Sequence, residues 1–449
     1  MTASTRALLA AAVVALTATA CAPGSSAPPA ASSAPSSPAA VRTDAAALGK
    51  VTLTVWDQEV RGAQNAQMTA LNSAFMAKYP NITIKRVSRS FDDLNTTLRL
   101  ALSGNEPPDV VQANNGRPQM GAFVKAGQLR PLDPYAEAYG WKKRYPQSVL
   151  QYVSYTPDGK DFGRGNVYGM PQAGEVVGIL YNRAKLAKLG VQPPATWADF
   201  QAALEKAKQA GEQPIMLGNL DKWPAVHVFG TVQGQHVPKE QIATLGFGRK
   251  GASWSTPENT AAAAQLVEWM DKGYLNKDVN GLGYDAGWQA FGKGKGVFVI
   301  GGSWLIGELG PDMGKDLGFM LPPGAPVATG GTGLPFAVTA KSPNPDAAAA
   351  YLDFITNPEA MKVLTQNDLL PVADTDQQAV EEGPQKDMFT AFAAITKQDG
   401  LVPYLDYATP TFSDTLGAAL QDLLAKKATP EEFLATLEKD YKKFVDSNG

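Results

Sequence analysis

From Val51 the chain alternates apolar and polar positions, Val51-Thr52-Leu53-Thr54-Val55-Trp56, and then runs into Asp57-Gln58-Glu59. Period-two alternation marks a half-buried strand, here with polar groups at its carboxyl end. Met68, Leu71, Phe75, Met76 and Tyr79 follow at helical spacing until Pro80 stops them. Ile82-Thr83-Ile84 predicts a second strand, and Leu94, Leu98, Ala101 and Leu102 a second helix that ends at Gly104. Asp109-Val110-Val111 opens a third strand, which again meets polar residues, Asn114-Asn115-Gly116-Arg117. Strand and helix in alternation predict an α/β sheet with crossover helices. In open sheets of this kind ligands gather beyond the carboxyl ends of the strands.

The pattern resumes near Tyr168. Val176 to Tyr181 is an apolar run of the buried-strand type, and Thr196 is placed to cap a helix that runs toward Gly211. Ala263, Leu266, Val267 and Met270 mark a helix within 259–273, and Val297 to Ile300 a strand that meets Gly301-Gly302-Ser303-Trp304. Phe336-Ala337-Val338 predicts a strand, Asp346 to Ile355 a helix with Pro345 near its start, and 430–445 a last helix capped by Thr429. Gly330-Gly331-Thr332-Gly333 lacks the Gly-Lys-Ser/Thr ending of a phosphate loop and precedes its strand, so a tight turn beside a cleft is expected instead.

Residues 1–49 stand outside this pattern. Arg6 followed by the Ala, Leu, Val and Thr run Ala7 to Ala20 is too short to span a bilayer and predicts a secretory signal peptide over 1–21. The run ends at Cys21, the sole cysteine of the chain, preceded by Ala18-Thr19-Ala20. Small residues before a lone cysteine resemble the lipobox of bacterial lipoproteins, which implies a lipid on Cys21. The Ala, Pro and Ser composition of 22–49 has too few large apolar side chains to order, predicting a tether with a span of roughly 30 Å. The remaining length exceeds one hydrophobic core and predicts two domains. A net charge of −3 without basic runs gives nucleic acid binding no electrostatic support. Two histidines and no clustered ligand spacing predict no metal site, and no cofactor is expected.

Five blocks in order carry a resemblance: Pro108-Asp109-Val110-Val111 with Gly127-Gln128-Leu129; Gly169-Met170-Pro171 leading to Leu180-Tyr181-Asn182; Pro193-Pro194-Ala195-Thr196-Trp197; Phe291-Gly292-Lys293-Gly294 leading to Gly302-Ser303-Trp304; and Ser342-Pro343-Asn344-Pro345. The chain resembles the family 1 sugar-binding proteins of ABC importers, the family that includes maltodextrin-binding protein. The resemblance implies a two-lobed α/β fold of the periplasmic-binding-protein type, with a ligand cleft between lobes that close by hinge bending. It implies one lobe over 50–157 plus 321–365 and the other over 158–320 plus 366–449. The hinge crossings are expected near 157–159, 322–324 and 364–367. It further implies a monomer that hands a sugar to importer permease subunits at the outer face of the cytoplasmic membrane, without catalysis.

Binding a sugar from water calls for acids and amides against its hydroxyls and an aromatic plate against its C–H face. Gln58, Glu59, Asn114 and Asn115 lie at two strand ends, and Glu175 sits among Ala, Gly and Val before a buried strand. In the resembled family the Glu175 position supplies a ligand carboxylate and the Trp304 position a sugar-stacking ring. Ser303 beside Trp304, the loop-borne Trp223, Tyr168, Asp285 and Thr332 complete the candidate set. Trp197 beside a helix start and Trp269 on a helix's apolar face are expected to be structural, Trp288 fits the site or the core and leans to the core, and His227 and His236 are expected as surface or satisfied buried histidines. Acids, amides and aromatics together favour an uncharged sugar over a polyamine or a glycerol phosphate. The rival from another class is a secreted glycoside hydrolase with Glu59 and Glu175 facing each other across the cleft.

Overall fold

The computed structural model describes residues 41–380 and 382–448. The signal peptide, Cys21 and most of the expected tether lie outside the described residues. Strands are Val51–Asp57 (β1), Ile82–Ser88 (β2), Val110–Gln112 (β3), Ser154–Tyr155 (β4), Asn166–Val167 (β5) and Gly174–Asn182 (β6). They continue as Phe298–Gly302 (β7), Leu317–Met320 (β8), Ala328–Thr332 (β9), Phe336–Val338 (β10) and Leu401–Val402 (β11). The first sheet has the order β10-β3-β1-β2, with β3, β1 and β2 parallel and β10 antiparallel. The second has the order β11-β9-β6-β7, with β8 pairing the far end of β6. The strands β4 and β5 form a separate pair.

Helices cover both sheets because their apolar stripes have nowhere else to go. Gly62–Lys78 buries Met68, Leu71 and Phe75, and the Phe75 ring meets the edge of Tyr351 from helix Pro345–Ile355 at 5.3 Å. In the second lobe Thr196 and Asp199 form a reciprocal capping box that starts helix Trp197–Gln209. Its Phe200 packs on Phe298 of β7 and on Trp269 of helix Pro257–Asp271. Trp269 and Trp288 are buried and Trp197 partly so, as the pattern predicts.

Three segments carry the chain between the sheets, and they bond to one another where they cross. The Gly174 amide donates to the Leu370 carbonyl, Val372 to Gln172, and Gly333 to Ala173. The change of sheet therefore falls at about 172–174, 332–335 and 370–372, not at the expected 157–159 and 322–324. Two pairings move it. Tyr168 and Met170 still bond to first-lobe residues, Val153 beside β4 and Phe336 of β10, while β9 pairs with β6 over Gly174–Val176. Gly330-Gly331-Thr332 is consequently a strand rather than a tight turn. Its glycines let β9 lie close to other chains: a Cβ on Gly330 would stand 2.4 Å from the Glu175 carbonyl oxygen, and one on Gly331 would meet the Tyr152 ring at 2.6 Å.

The tether expectation also needs correction at its end. Residues 41–49 dock on the first lobe, with Asp44 capping a single turn at Ala45–Ala47. Ala45 is buried there, and the Asn81 amide donates to the carbonyls of Ala45 and Gly49. A composition poor in large apolar residues orders here because a side chain from the folded domain satisfies its backbone.

Candidate functional site

A cleft with about 650 Å³ of empty space, counted to its open mouth, lies between the lobes, past the carboxyl ends of β1, β3 and β7 and beside the amino end of β6. The first lobe contributes Gln58, Arg61, Gln64, Phe91 and Asn114. The second contributes Glu175, Trp223, Val226, His227, Trp304, Tyr404, Asp406 and Tyr407, and Leu334 comes from a crossing segment. Below it lies an inner chamber lined among others by Glu59, Gln64, Gln67, Gln112, Glu175 and Ser303.

Local structure fixes each side chain. Where β1 ends, the Gln58 amide N–H donates to Gln112 Oε1 at 2.8 Å. The side chains of Gln58 and Gln112 both donate to Glu59 Oε1, at 3.0 and 2.7 Å. Burial drives the Glu59 carboxyl up to about 7, against those two bonds and with Asp57 adding to the rise. Glu175 near the start of β6 accepts the Tyr404 hydroxyl at 3.1 Å. Its carboxyl is also raised to about 7, by burial first and by the charge of Glu59 second. Asp406 rises to about 6 for the same first reason.

Trp304 lies back across the end of β7. Its ring carbons stand 1.9–2.2 Å from the place a Cβ on Gly302 would occupy, so only glycine there allows the indole this pose. Its Nε1 donates to the Tyr284 hydroxyl at 2.7 Å. The His227 ring packs edge-on against Trp304 at 5.5 Å and meets Trp223 at 5.4 Å. Phe91 reaches across from the first lobe to Trp223 at 5.7 Å. Aromatic rings, amides and acids thus line one cleft, the combination a saccharide requires.

Of the sequence-predicted residues, Gln58, Asn114, Glu175, Trp223 and Trp304 line the cleft, and Glu59 and Ser303 the chamber beneath. Asn115 donates to Thr332 Oγ1 at 2.8 Å behind the cleft wall, joining the lobes rather than lining the space. Asp285 sits at the mouth, where it accepts from Arg61 and from the Trp288 indole. Tyr168 is a correction: it is buried against Tyr155 in the core, because its segment belongs with the first lobe and not at the lobe entry. His227 is another: it lines the cleft with Nδ1 unpartnered, and burial lowers its pKa to about 3 so that it is neutral. His236 bonds to Gln265 as a satisfied histidine.

Sequence reasoning missed Arg61, Gln64, Phe91, Val226, Tyr404, Asp406 and Tyr407. The stretch Pro403-Tyr404-Leu405-Asp406-Tyr407 does carry a signal, an acid between two aromatics in a short segment bounded by prolines. Gln64 and Phe91 lie in the first turns of helices Gly62–Lys78 and Phe91–Ser103, ahead of the apolar spacing that marks those helices in the sequence.

Residues 59–362 match the model of the bacterial extracellular solute-binding proteins. The chain belongs to that family. An uncharacterised ABC transporter extracellular-binding protein of Pyrococcus horikoshii is 27% identical over 322 residues, covering 69% of this chain and 68% of that protein. The multiple sugar-binding protein of Streptococcus mutans is 24% identical over 340 residues, covering 72% and 75%. Among solved structures, a chitin oligosaccharide binding protein superposes with a TM-score of 0.77 at 22% identity, covering 88% of this chain and 99% of that one. The fold is therefore the two-lobed solute-binding fold, and the family places the protein on the extracellular side. Among the described residues no helix is long and apolar enough to cross a membrane, and no cluster of three His, Cys, Asp or Glu stands ready for a metal. Family and relatives are binding proteins rather than enzymes.

Proposed function

We propose that this solute-binding protein captures a sugar or oligosaccharide and presents it to an ABC importer, anchored by a lipid on Cys21. The observation that carries the reading is the cleft itself. The Trp304 indole, laid back over Gly302 with the His227 ring against it, offers a plate in the same cleft as the carboxylate and amide groups of Glu175, Gln58 and Asn114. The names of the relatives and structural neighbours point the same way. The division into lobes follows the sheets, 50–172 with 335–370 in one and 174–332 with 372–449 in the other, and closure bends the three bonded crossings. Importer permease subunits would contact the monomer's lobes when closed.

Calorimetry against neutral, amino and N-acetylated mono- to tetrasaccharides tests it. At least one binds, and Trp304→Ala weakens that ligand ten-fold or more. Binding of phosphates or polyamines with failure of every saccharide ends the reading. Binding occurs without turnover; Glu59 and Glu175 border one chamber, so hydrolysis of a bound disaccharide that disappears in Glu175→Gln would replace transport with catalysis.

A further inference from the structure

The cleft is unbalanced in charge. Glu175 and Asp406 line it, and Glu59 joins Glu175 around the inner chamber. At the mouth Asp92, Asp221 and Asp285 lie close enough that their charges, with burial first, push the Asp92 carboxyl up to about 6. Among the described residues lining the cleft, Arg61 is the one cationic side chain, and its guanidinium is held by Asp285 at 2.9 Å. Arg86, behind Glu59, is committed to Asp57 at 2.6 Å. The remaining ionisable neighbours, His227, Tyr284, Tyr404 and Tyr407, bring no positive charge: His227 is neutral and burial raises the tyrosines.

Unpartnered atoms lean the same way. Gln64 is only 7% exposed, borders both spaces, and its Oε1 accepts nothing. His227 is 6% exposed with Nδ1 unpaired. The carboxyl of Asp406 is answered only by its own backbone amide. The Trp223 indole N–H is an unpartnered donor lining the same space. A hydroxyl brings one donor and two acceptor sites, so a guest made only of hydroxyls asks the wall for donors as much as acceptors. An ammonium brings three donors, no acceptor and a charge that buried carboxylates need as a partner. The surrounding indole and phenol rings suit a cation as well as a C–H face.

We propose that the guest is an amino sugar, a saccharide carrying at least one free protonated amine seated against Glu175 and Asp406. The proposal rests on the carbohydrate reading above and narrows it, replacing the uncharged sugar that the sequence favours. The test is calorimetry on the whole mature protein with glucosamine oligosaccharides, their N-acetylated and plain hydroxyl counterparts, and spermidine. The amino form binds at least ten-fold more tightly than either counterpart. At about pH 6, where the amine is already protonated, its binding releases protons to the buffer, because a cation beside carboxyls that hold protons drives those protons off. Affinity falls as the pH drops through the range from about 7 to about 6, where Glu175 and Asp406 take up protons. Asp406→Asn removes most of the preference for amine over hydroxyl; should that variant not fold, proton release by the parent protein decides. A hydroxyl or N-acetylated counterpart that binds as tightly as the amine overturns the inference and leaves the carbohydrate reading standing. Spermidine binding with no saccharide binding overturns both.

Discussion

At the scale of single residues, the cleft holds its carboxyls at a cost to the empty protein. Glu59 and Glu175 both stand near 7 in the folded chain against an ordinary value of 4.5. A folded pKa raised in this way means that stability is full below about 4.5 and is lost as pH rises through about 7, since the charged forms are then buried. Glu175→Gln removes one such charge while keeping shape. The unliganded variant is expected to melt above the parent at about pH 8 and level with it at about pH 4.5, while binding ligand more weakly. A thermal difference that grows on acidification would contradict the assignment. Glu175 was legible in the sequence because a lone carboxylate among Ala, Gly and Val has few structural uses. Asp406 carried only the weak signal of an acid between two aromatics, which by itself does not place a short segment beside a cleft built from distant strands.

At the scale of elements, the segments after β1, β3 and β7 bring Gln58, Asn114 and Trp304 to the cleft. The strand at Ala328–Thr332 and the segment at 41–49 did not follow their local patterns. Glycines hide a strand because they carry no alternation to read, and a small-residue segment reads as unstructured until a partner such as Asn81 is in place. Truncation tests the second point. Removing Val41–Gly49 leaves the Asn81 amide without its two carbonyls and uncovers first-lobe apolar surface, and should cost about 1–2 kcal/mol in denaturant unfolding. Unchanged stability on truncation would mean that the segment only rests on the surface.

At the scale of the whole molecule, the lobes touch beyond the hinge. Glu308 of the second lobe accepts from the amides of Gly62 and Ala63, at 3.1 and 3.0 Å, and so caps a first-lobe helix whose own N-cap residue, Arg61, supplies no side-chain cap. Negative charge at a helix N-terminus is favourable by roughly 0.3–1 kcal/mol. Gly307 allows the approach, since a Cβ there would meet that of Ala63 at 2.7 Å. This cap exists only while the lobes are together. Glu308→Ala should therefore raise the radius of gyration of the unliganded protein in small-angle scattering, with saturating ligand restoring the compact form. No change in either state would show that the cap does not bear on closure.

The sequence by itself determined the α/β class, the order of most strands and helices, and the family, because alternation, helical spacing and the five ordered blocks are local and survive in one dimension. It also put Gln58, Glu59, Asn114 and Trp304 just past strands and Glu175 just before one. Only the tertiary structure decided where the chain changes lobes, that Tyr168 belongs to the core, and that His227, Tyr404 and Asp406 belong to the cleft. Those are questions of which distant segments pack together, and burial that shifts a carboxyl or strips a histidine of its partner arises only when residues far apart in sequence close around it.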